Sequence, residues 1–211
     1  MEVTFKHSKT FRYEIMNATA SAKTVLYILH GYGHLAKYFI QKFESVQKEV
    51  IIIAPEGMHR FYLNGTSGKV GASWMTKEAR ETDIADNIDW LNALDAKISK
   101  EYPIEERILL GFSQGGSTAL RWKIFGNVQF KALIIWASDF PPDLVEYDED
   151  LRKQPNQFFV IGNKDEYCSG AEQALLIDQY KQLNFKTIEY NGTHTIHNET
   201  LISLIDQINI A

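Results

Sequence analysis

The sequence has only one cysteine, Cys168, in 211 residues. A single thiol excludes an internal disulfide framework and is typical of proteins in a reducing compartment. Residues 1–7 lack the apolar stretch of a secretory signal, and no run of apolar residues is long enough to span a bilayer. These absences predict a cytoplasmic protein without stable membrane insertion.

Clustered positive charge is lacking as well. Lys plus Arg total 22 against 27 Asp plus Glu, so the formal net charge is -5. Because no basic stripe is present, we expect no nucleic acid partner. The glycine-containing stretch 65–71 lacks the Lys-Ser/Thr pair of a phosphate-binding loop, so nucleotide binding is not supported either.

Repeats, low-complexity tracts and linkers are also missing. A chain of this length, 45% hydrophobic, has the size and composition of one globular domain. We therefore predict a single domain over residues 1–211. The oligomeric state stays open between monomer and homodimer.

Strand and helix patterns alternate along the chain, which predicts an α/β fold with a mostly parallel central sheet and helices on both faces. Apolar runs predict strands at 25–29, 50–54, 108–110, 132–137, 158–161 and 187–190. Alternating apolar and polar residues at 3–5 and 11–15 predict antiparallel strands at one edge. Helices are expected over 35–46, 77–100, 116–125, 171–183 and 198–208.

The pentapeptide Gly111-Phe112-Ser113-Gln114-Gly115 is the most informative stretch and fits the pattern G-x-S-x-G. An apolar run precedes it and a helix pattern follows it, and this strand-turn-helix context is that of a nucleophile elbow. The turn holds the serine in a strained backbone conformation, and small residues on either side let strand and helix approach closely. The motif therefore predicts Ser113 as a nucleophile.

A serine hydroxyl needs a base, and the base needs an orienting acid. On such a sheet the chain order is serine, acid, histidine. Asp165 follows one late strand and His194 follows the last, so they are the predicted acid and base. Asp139, which also follows a strand, and His197, a helical turn after His194, are the alternatives.

A tetrahedral intermediate also needs two convergent N–H donors. One is predicted to be the backbone N–H of Gln114, next to the nucleophile. The other is assigned to Tyr32 in the loop His30-Gly31-Tyr32-Gly33, where glycines allow a close approach to substrate.

These motifs resemble the phospholipase/carboxylesterase family, which includes bacterial carboxylesterases and acyl-protein thioesterases. The resemblance runs in order along nearly the whole chain and also includes Ala-Pro-Glu-Gly at 54–57 and Ser-Trp at 73–74. Its most specific part is Gly-Phe-Ser-Gln-Gly-Gly at 111–116. It implies an α/β-hydrolase fold and the same roles for Ser113, Asp165, His194, Tyr32 and Gln114. The chain has no insertion after Ser113 large enough for a separate lid domain, so we expect none.

Four departures from the family pattern fall near the predicted site. His34 follows the loop where the family usually has aspartate, Met-Thr at 75–76 replaces Phe-Asp, and Tyr-Cys at 167–168 replaces a small apolar pair. Thr193 is inserted before His194. The first three lie near the expected acyl or leaving-group pocket and so concern the substrate.

Other side chains near these motifs have simpler interpretations. His30 and His34 are four apart, but the glycines between them disfavour a helix and no further ligand accompanies them, so we expect no metal. His30 is expected to hold the loop through hydrogen bonds to the backbone. Glu166 is expected to be a solvated neighbour, and Cys168 lacks an adjacent base.

Aromatic residues of the loops could line an acyl pocket, and ordinary packing is the alternative. Tyr32 and Trp74 are the predicted substrate contacts. The sequence thus predicts a serine carboxylesterase for short- to medium-chain, small-molecule esters, acting through an acyl-enzyme without a cofactor. An acyl-protein thioesterase or lysophospholipase is the alternative, and a non-catalytic binding protein is disfavoured by the intact Ser-Asp-His order.

Overall fold

The computed structural model describes residues 1, 3–46 and 49–210. Its strands are β1 (Tyr13–Met16), β2 (Thr24–Leu29), β3 (Val50–Pro55), β4 (His59–Tyr62), β5 (Val70–Ser73), β6 (Glu106–Phe112), β7 (Ala132–Trp136), β8 (Gln157–Gly162) and β9 (Lys186–Tyr190). Its α-helices are α1 (Ala36–Phe39), α2 (Arg80–Glu101), α3 (Gln114–Phe125), α4 (Asp148–Arg152), α5 (Ala171–Gln182) and α6 (Asn198–Ile210).

Seven strands form one sheet in the order β1-β3-β2-β6-β7-β8-β9. All neighbours are parallel except β1, which pairs antiparallel with β3 at the edge. The chain leaves β2 toward β3 on one side and returns to β6 on the other. Loops that follow β2 and β6 therefore meet at the carboxyl edge of the sheet, where ligands bind in open α/β folds.

Helices cover both faces of the sheet because apolar side chains line both. On one face, α2, α3 and α5 pack through residues such as Leu91, Trp122 and Tyr180. On the other, α1 and α6 pack through residues such as Phe39 and Leu204. The α/β-hydrolase prediction, with a mostly parallel sheet between two helical layers, is confirmed.

Two predicted elements differ from the structure. Residues 3–5 form no strand, so the amino-terminal hairpin is wrong and β1 is the one antiparallel edge strand of this segment. The predicted helix 35–46 is divided into α1 and a 3₁₀ turn, Ile40–Phe43. The antiparallel hairpin of β4 and β5, outside the main sheet, was not predicted.

The connection between β7 and β8 carries only a 3₁₀ turn, Pro142–Tyr147, and the short α4, so within the described residues it contains no separate lid. Among those same residues, no helix has both the length and the apolar character needed to cross a membrane.

Candidate active site

Ser113 lies at the turn between β6 and α3 with φ 52° and ψ −124°. This is a conformation that L-residues rarely adopt, as the elbow motif predicted. The backbone N–H of Ser113 donates to the Trp136 carbonyl at the end of β7, 2.9 Å away. The strained turn therefore holds the serine at the carboxyl edge of the sheet.

Glycines around Ser113 are required by backbone contacts. A Cβ on Gly111 would lie 2.4 Å from the carbonyl oxygen of Gly115, and one on Gly115 would lie 2.3 Å from that of Leu29. Heavy atoms do not approach so closely, so a side chain at either position would force strand and helix apart. Both glycines are thus needed for the elbow to pack against β2.

His194 and Asp165 form a hydrogen-bonded pair. The His194 Nδ1 lies 2.7 Å from the Asp165 Oδ2, and the aspartate is only 3% exposed. The Asp165 Oδ1 also accepts the Tyr167 backbone N–H at 2.9 Å. With Nδ1–H donated to the carboxylate, the imidazole presents Nε2 as its free acceptor, which is the tautomer a general base needs.

Loops after β8 and β9 are joined by main-chain contacts that bring this pair together. The Lys164 N–H donates to the Gly192 carbonyl at 2.9 Å, and a Cβ on Gly162 would lie 2.3 Å from the same oxygen. The Tyr190 hydroxyl lies 2.7 Å from the Thr193 carbonyl and 2.6 Å from that of Thr195. These contacts hold the segment that contains the inserted threonine.

Glu166 has a role that sequence reasoning missed. Its Oε2 accepts the backbone N–H of His194 at 3.0 Å, and this hydrogen bond lowers the pKa of the carboxyl group. Next to it, the Tyr167 ring lies edge-on to the His194 imidazole, with centroids 4.7 Å apart. Spacing in the chain gave no signal for either contact, because both depend on how the two loops meet.

Backbone N–H groups of Tyr32 and Gln114 are available beside Ser113. Neither has a hydrogen-bond partner among the described residues, whereas the next N–H of the loop, that of Gly33, donates to the Ala72 carbonyl at 2.9 Å. A Cβ on Gly31 would lie 3.2 Å from the Ser113 Cβ, so the loop passes directly over the serine. Two N–H groups without a partner are what the predicted oxyanion hole requires.

Hydrogen bonds of the buried His30 side chain hold this loop in place. Its Nε2 accepts the Gly57 N–H at 2.9 Å, and its Nδ1 lies 2.8 Å from the Gly31 carbonyl. The ring is fully buried, and burial lowers the pKa of His30 to about 4. A neutral imidazole with Nδ1–H donating and Nε2 accepting satisfies both contacts. The expected role for His30, hydrogen bonding to the backbone, agrees with this geometry.

Trp74 requires a correction as a substrate contact. Its side chain is 0% exposed, and its indole N–H donates to the His30 carbonyl at 2.8 Å. The ring packs near His30 and Trp90 inside the fold, with centroids 5.1 and 6.4 Å away. Trp74 therefore supports the loop 30–33 from the interior and offers no surface to an acyl chain. We call this loop the oxyanion loop, after the predicted role of the Tyr32 N–H.

A groove of about 430 Å³ brings together four of the six predicted site residues, and Tyr32 and Trp74 are not among the described residues that line it. Ser113, Gln114, Asp165 and His194 all line it. Cys168 lines it too, but burial raises the pKa of its thiol, which disfavours the thiolate form that a nucleophile requires.

The alternative acid and base do not form the contact between His194 and Asp165. Asp139 lines the groove, yet the carboxylate that contacts His194 is that of Asp165. His197 lies just before α6, where its Nδ1 is 2.9 Å from the Thr200 hydroxyl and its ring stacks on Tyr190. His197 therefore joins the start of the helix to the last strand. The described residues contain no group of three or more potential metal ligands.

Comparison with family models matches residues 18–203 to the FSH1 serine hydrolase family. The chain belongs to the FSH1 serine hydrolase family. A sequence comparison with curated proteins gives no significant match.

FSH1 membership agrees with solved structures of the same fold. Esterase PE8 has a TM-score of 0.71 at 20% identity, covering 95% of this chain and 100% of that one. Zea mays acyl-protein thioesterase 2 has 0.71 at 18%, covering 94% and 98%. The Bacillus cereus carboxylesterase has 0.65 at 18%, covering 95% and 94%. The predicted resemblance to hydrolases of the carboxylesterase and thioesterase type is confirmed, with FSH1 as the family that matches.

Proposed function

We propose that this FSH1 serine hydrolase is a carboxylesterase that cleaves short- to medium-chain acyl esters. The observation that carries the proposal is the His194–Asp165 pair at 2.7 Å in the groove that Ser113 also lines. A histidine paired with an aspartate beside a serine at a strained elbow supports the roles of base, orienting acid and nucleophile. Those are the parts needed for acyl transfer through a serine.

In the proposed reaction, the Ser113 hydroxyl attacks the ester carbonyl while His194 Nε2 takes its proton. The Tyr32 and Gln114 N–H groups stabilise the resulting oxyanion. Collapse breaks the bond to the alcohol, which leaves with the proton from His194. Water then attacks the acyl-enzyme while His194 takes its proton. Collapse breaks the bond to Ser113, which leaves with that proton from His194, and the acid is released.

Apolar surface for the substrate is proposed at Tyr32. Its ring is 61% exposed and stacks on Phe61 with centroids 5.0 Å apart, so an aromatic surface adjoins the oxyanion loop. Each methylene buried on such a surface adds about 0.8 kcal/mol. Because this surface consists of two rings and is open to solvent, specificity should rise over a few carbons and then level off.

Thioester cleavage is the second candidate, because the fold also matches an acyl-protein thioesterase. The same serine, base and oxyanion donors would serve either bond. A substrate with a long acyl chain on a peptide would distinguish the two. From the single cysteine and the composition, we also propose that the chain is one domain and that it acts in the cytoplasm. Its proposed substrate is a small-molecule ester.

The test is a series of nitrophenyl acyl esters from acetyl to palmitoyl, with Ser113→Ala as the matched control. The proposal predicts Ser113-dependent turnover, fluorophosphonate labelling of Ser113, and kcat/KM that reaches a plateau at medium chain length. Turnover by folded Ser113→Ala at the wild-type rate would overturn the catalytic assignment. A steady increase out to palmitoyl, with strong activity on palmitoylated peptide, would favour the thioesterase.

A further inference from the structure

A second cleft adjoins the oxyanion loop, between α1 and the β4–β5 hairpin. It has a volume of about 560 Å³ and continues from Gly33 and His34 of that loop. Three lysines line it, Lys37, Lys42 and Lys69. We call it the lysine cleft and define it by these three residues with His34 at its inner end.

Charge in the lysine cleft is opposite to that of the protein. The chain carries a net charge of -5. The groove that Ser113 lines, which we call the catalytic groove, is lined by Asp139 and Asp165. No carboxylate is among the described residues that line the lysine cleft. Within the described part of the chain its lysines form no ion pairs, and Lys37 lies over the ring of Tyr38 at 4.6 Å. These lysines are exposed, and their ammonium groups are therefore able to pair with an anionic ligand.

Apolar residues line the cleft between the lysines. Leu63 and Val70 come from the hairpin and Leu35 from the turn before α1. An apolar lining with ammonium groups around it suits a hydrocarbon chain that ends in an anion. The cleft is concave and carries only a few cations, which suits a small ligand.

His34 of the lysine cleft lies near His194, which lines the catalytic groove. Its ring stacks on Phe112 at a centroid distance of 5.9 Å and an angle of 4°, and Phe112 contacts the His194 ring at 4.8 Å. One aromatic ring thus separates His34 from the proposed base.

The surroundings of His34 also affect its pKa. Burial lowers the pKa of His34, and the charges of Lys42 and His194 lower it further. Both effects favour the neutral form of the imidazole. Its Nδ1 is buried without a hydrogen-bond partner in the described part of the structure. A polar atom of the substrate chain passing from Ser113 into the cleft would satisfy it.

We propose that the lysine cleft binds a carboxylate or phosphate carried by the ester substrate, several carbon atoms from the bond that Ser113 cleaves. This inference rests on the proposed esterase function and narrows its substrate to anionic esters. The chain would run past His34, and the anion would pair with Lys37, Lys42 and Lys69. Exposed pairs of this kind are individually weak, so three together should give a preference of roughly tenfold.

Two pairs of esters test which side of the bond carries the anion. The acyl pair is the nitrophenyl monoester of adipate against nitrophenyl hexanoate. The alcohol pair is the butyrate ester of a hydroxy acid against the butyrate ester of the matching alcohol. Hydrolysis of this pair is measured by the release of acid. For each pair, the readout is the ratio of kcat/KM for the anionic ester to that for the neutral ester.

Two triple variants with equal change in net charge separate the cleft from overall charge. The cleft variant is Lys37→Gln/Lys42→Gln/Lys69→Gln. The control is Lys100→Gln/Lys153→Gln/Lys181→Gln, at exposed positions on α2, after α4 and on α5. We expect the ratio for at least one pair to fall about tenfold in the cleft variant and to persist in the control, and the wild-type ratio to fall at high ionic strength.

An unchanged ratio in the cleft variant for both pairs, or an equal fall in both variants, would overturn the lysine cleft. Either result leaves the esterase function intact if the wild type still hydrolyses neutral esters through Ser113. Failure of the esterase function has a different signature: no neutral or anionic ester is cleaved and no fluorophosphonate label is incorporated. Thermal unfolding of both variants checks that they remain folded.

Discussion

The side-chain oxygen of Gln114 accepts the backbone N–H of Trp74 at 3.1 Å. Its amide nitrogen donates to the Met75 carbonyl at 3.0 Å, and the Ser73 hydroxyl lies within 3.2 Å of the side chain. The residue whose backbone N–H is proposed for the oxyanion hole is therefore held by its own side chain. This anchor joins the elbow to the segment after β5.

Removing the Gln114 side chain should lower kcat while keeping the N–H itself. We expect Gln114→Ala to reduce kcat roughly tenfold with a smaller change in KM, because a misplaced donor stabilises the transition state poorly. Ser73→Ala, which removes one contact of the amide, should have a weaker effect. Steady-state kinetics with a nitrophenyl ester measure both. Wild-type kcat in Gln114→Ala would show that the anchor does not matter.

Much of this arrangement could be predicted from the sequence because its signals are local. The apolar runs of β2 and β6 and the small residues around Ser113 report directly on burial and close packing. The order of serine, acid and histidine follows from the sheet, so Asp165 and His194 were expected to meet.

Contacts between segments distant in sequence could not be predicted. Trp74 looked like any aromatic residue in a loop, and its burial depends on His30 and Trp90 packing around it. The β4–β5 hairpin was missed because His59–Tyr62 and Val70–Ser73 are short strands without a clear apolar pattern. Residues 3–5 alternate in polarity, but they find no strand partner.

The two candidate bases should differ sharply in mutational effect. His194→Ala is expected to lower kcat roughly 10³-fold or more, because His194 pairs with Asp165 and lines the groove. His197→Ala should keep most activity and lose some stability, since His197 contacts Thr200 and Tyr190 outside the groove. Kinetics and thermal unfolding of both variants decide this. The reverse pattern would make His197 the base.

A matched pair of amide substitutions tests the acid. Asp165→Asn should reduce kcat by several orders of magnitude, because an amide next to Nδ1 can favour the wrong tautomer and cannot balance the imidazolium charge. Asp139→Asn alters a carboxylate that lines the same groove without contacting His194, and should cost far less. Equal losses in the two variants would contradict the assignment of Asp165.

Acidification should destabilise the fold through His30. Burial lowers the pKa of His30 to about 4 in the folded protein, whereas the unfolded chain has the ordinary value of about 6.5. Between these values the unfolded state binds the extra proton, so folding stability falls as the pH drops below about 6.5 and the loss is complete near 4.

Urea unfolding at about pH 7.5 and about pH 5 measures this effect, for which we expect His30 to contribute about 2 kcal/mol of the loss. His30→Gln removes the titrating group, so its free energy of unfolding should be lower at neutral pH but should depend less on pH. His7→Gln, at an exposed histidine in the amino-terminal segment, is the control. If His30→Gln lost as much stability on acidification as the wild type, other groups would account for it. Detection of a protonated His30 imidazole by NMR at about pH 6 would exclude the mechanism even if that variant failed to fold.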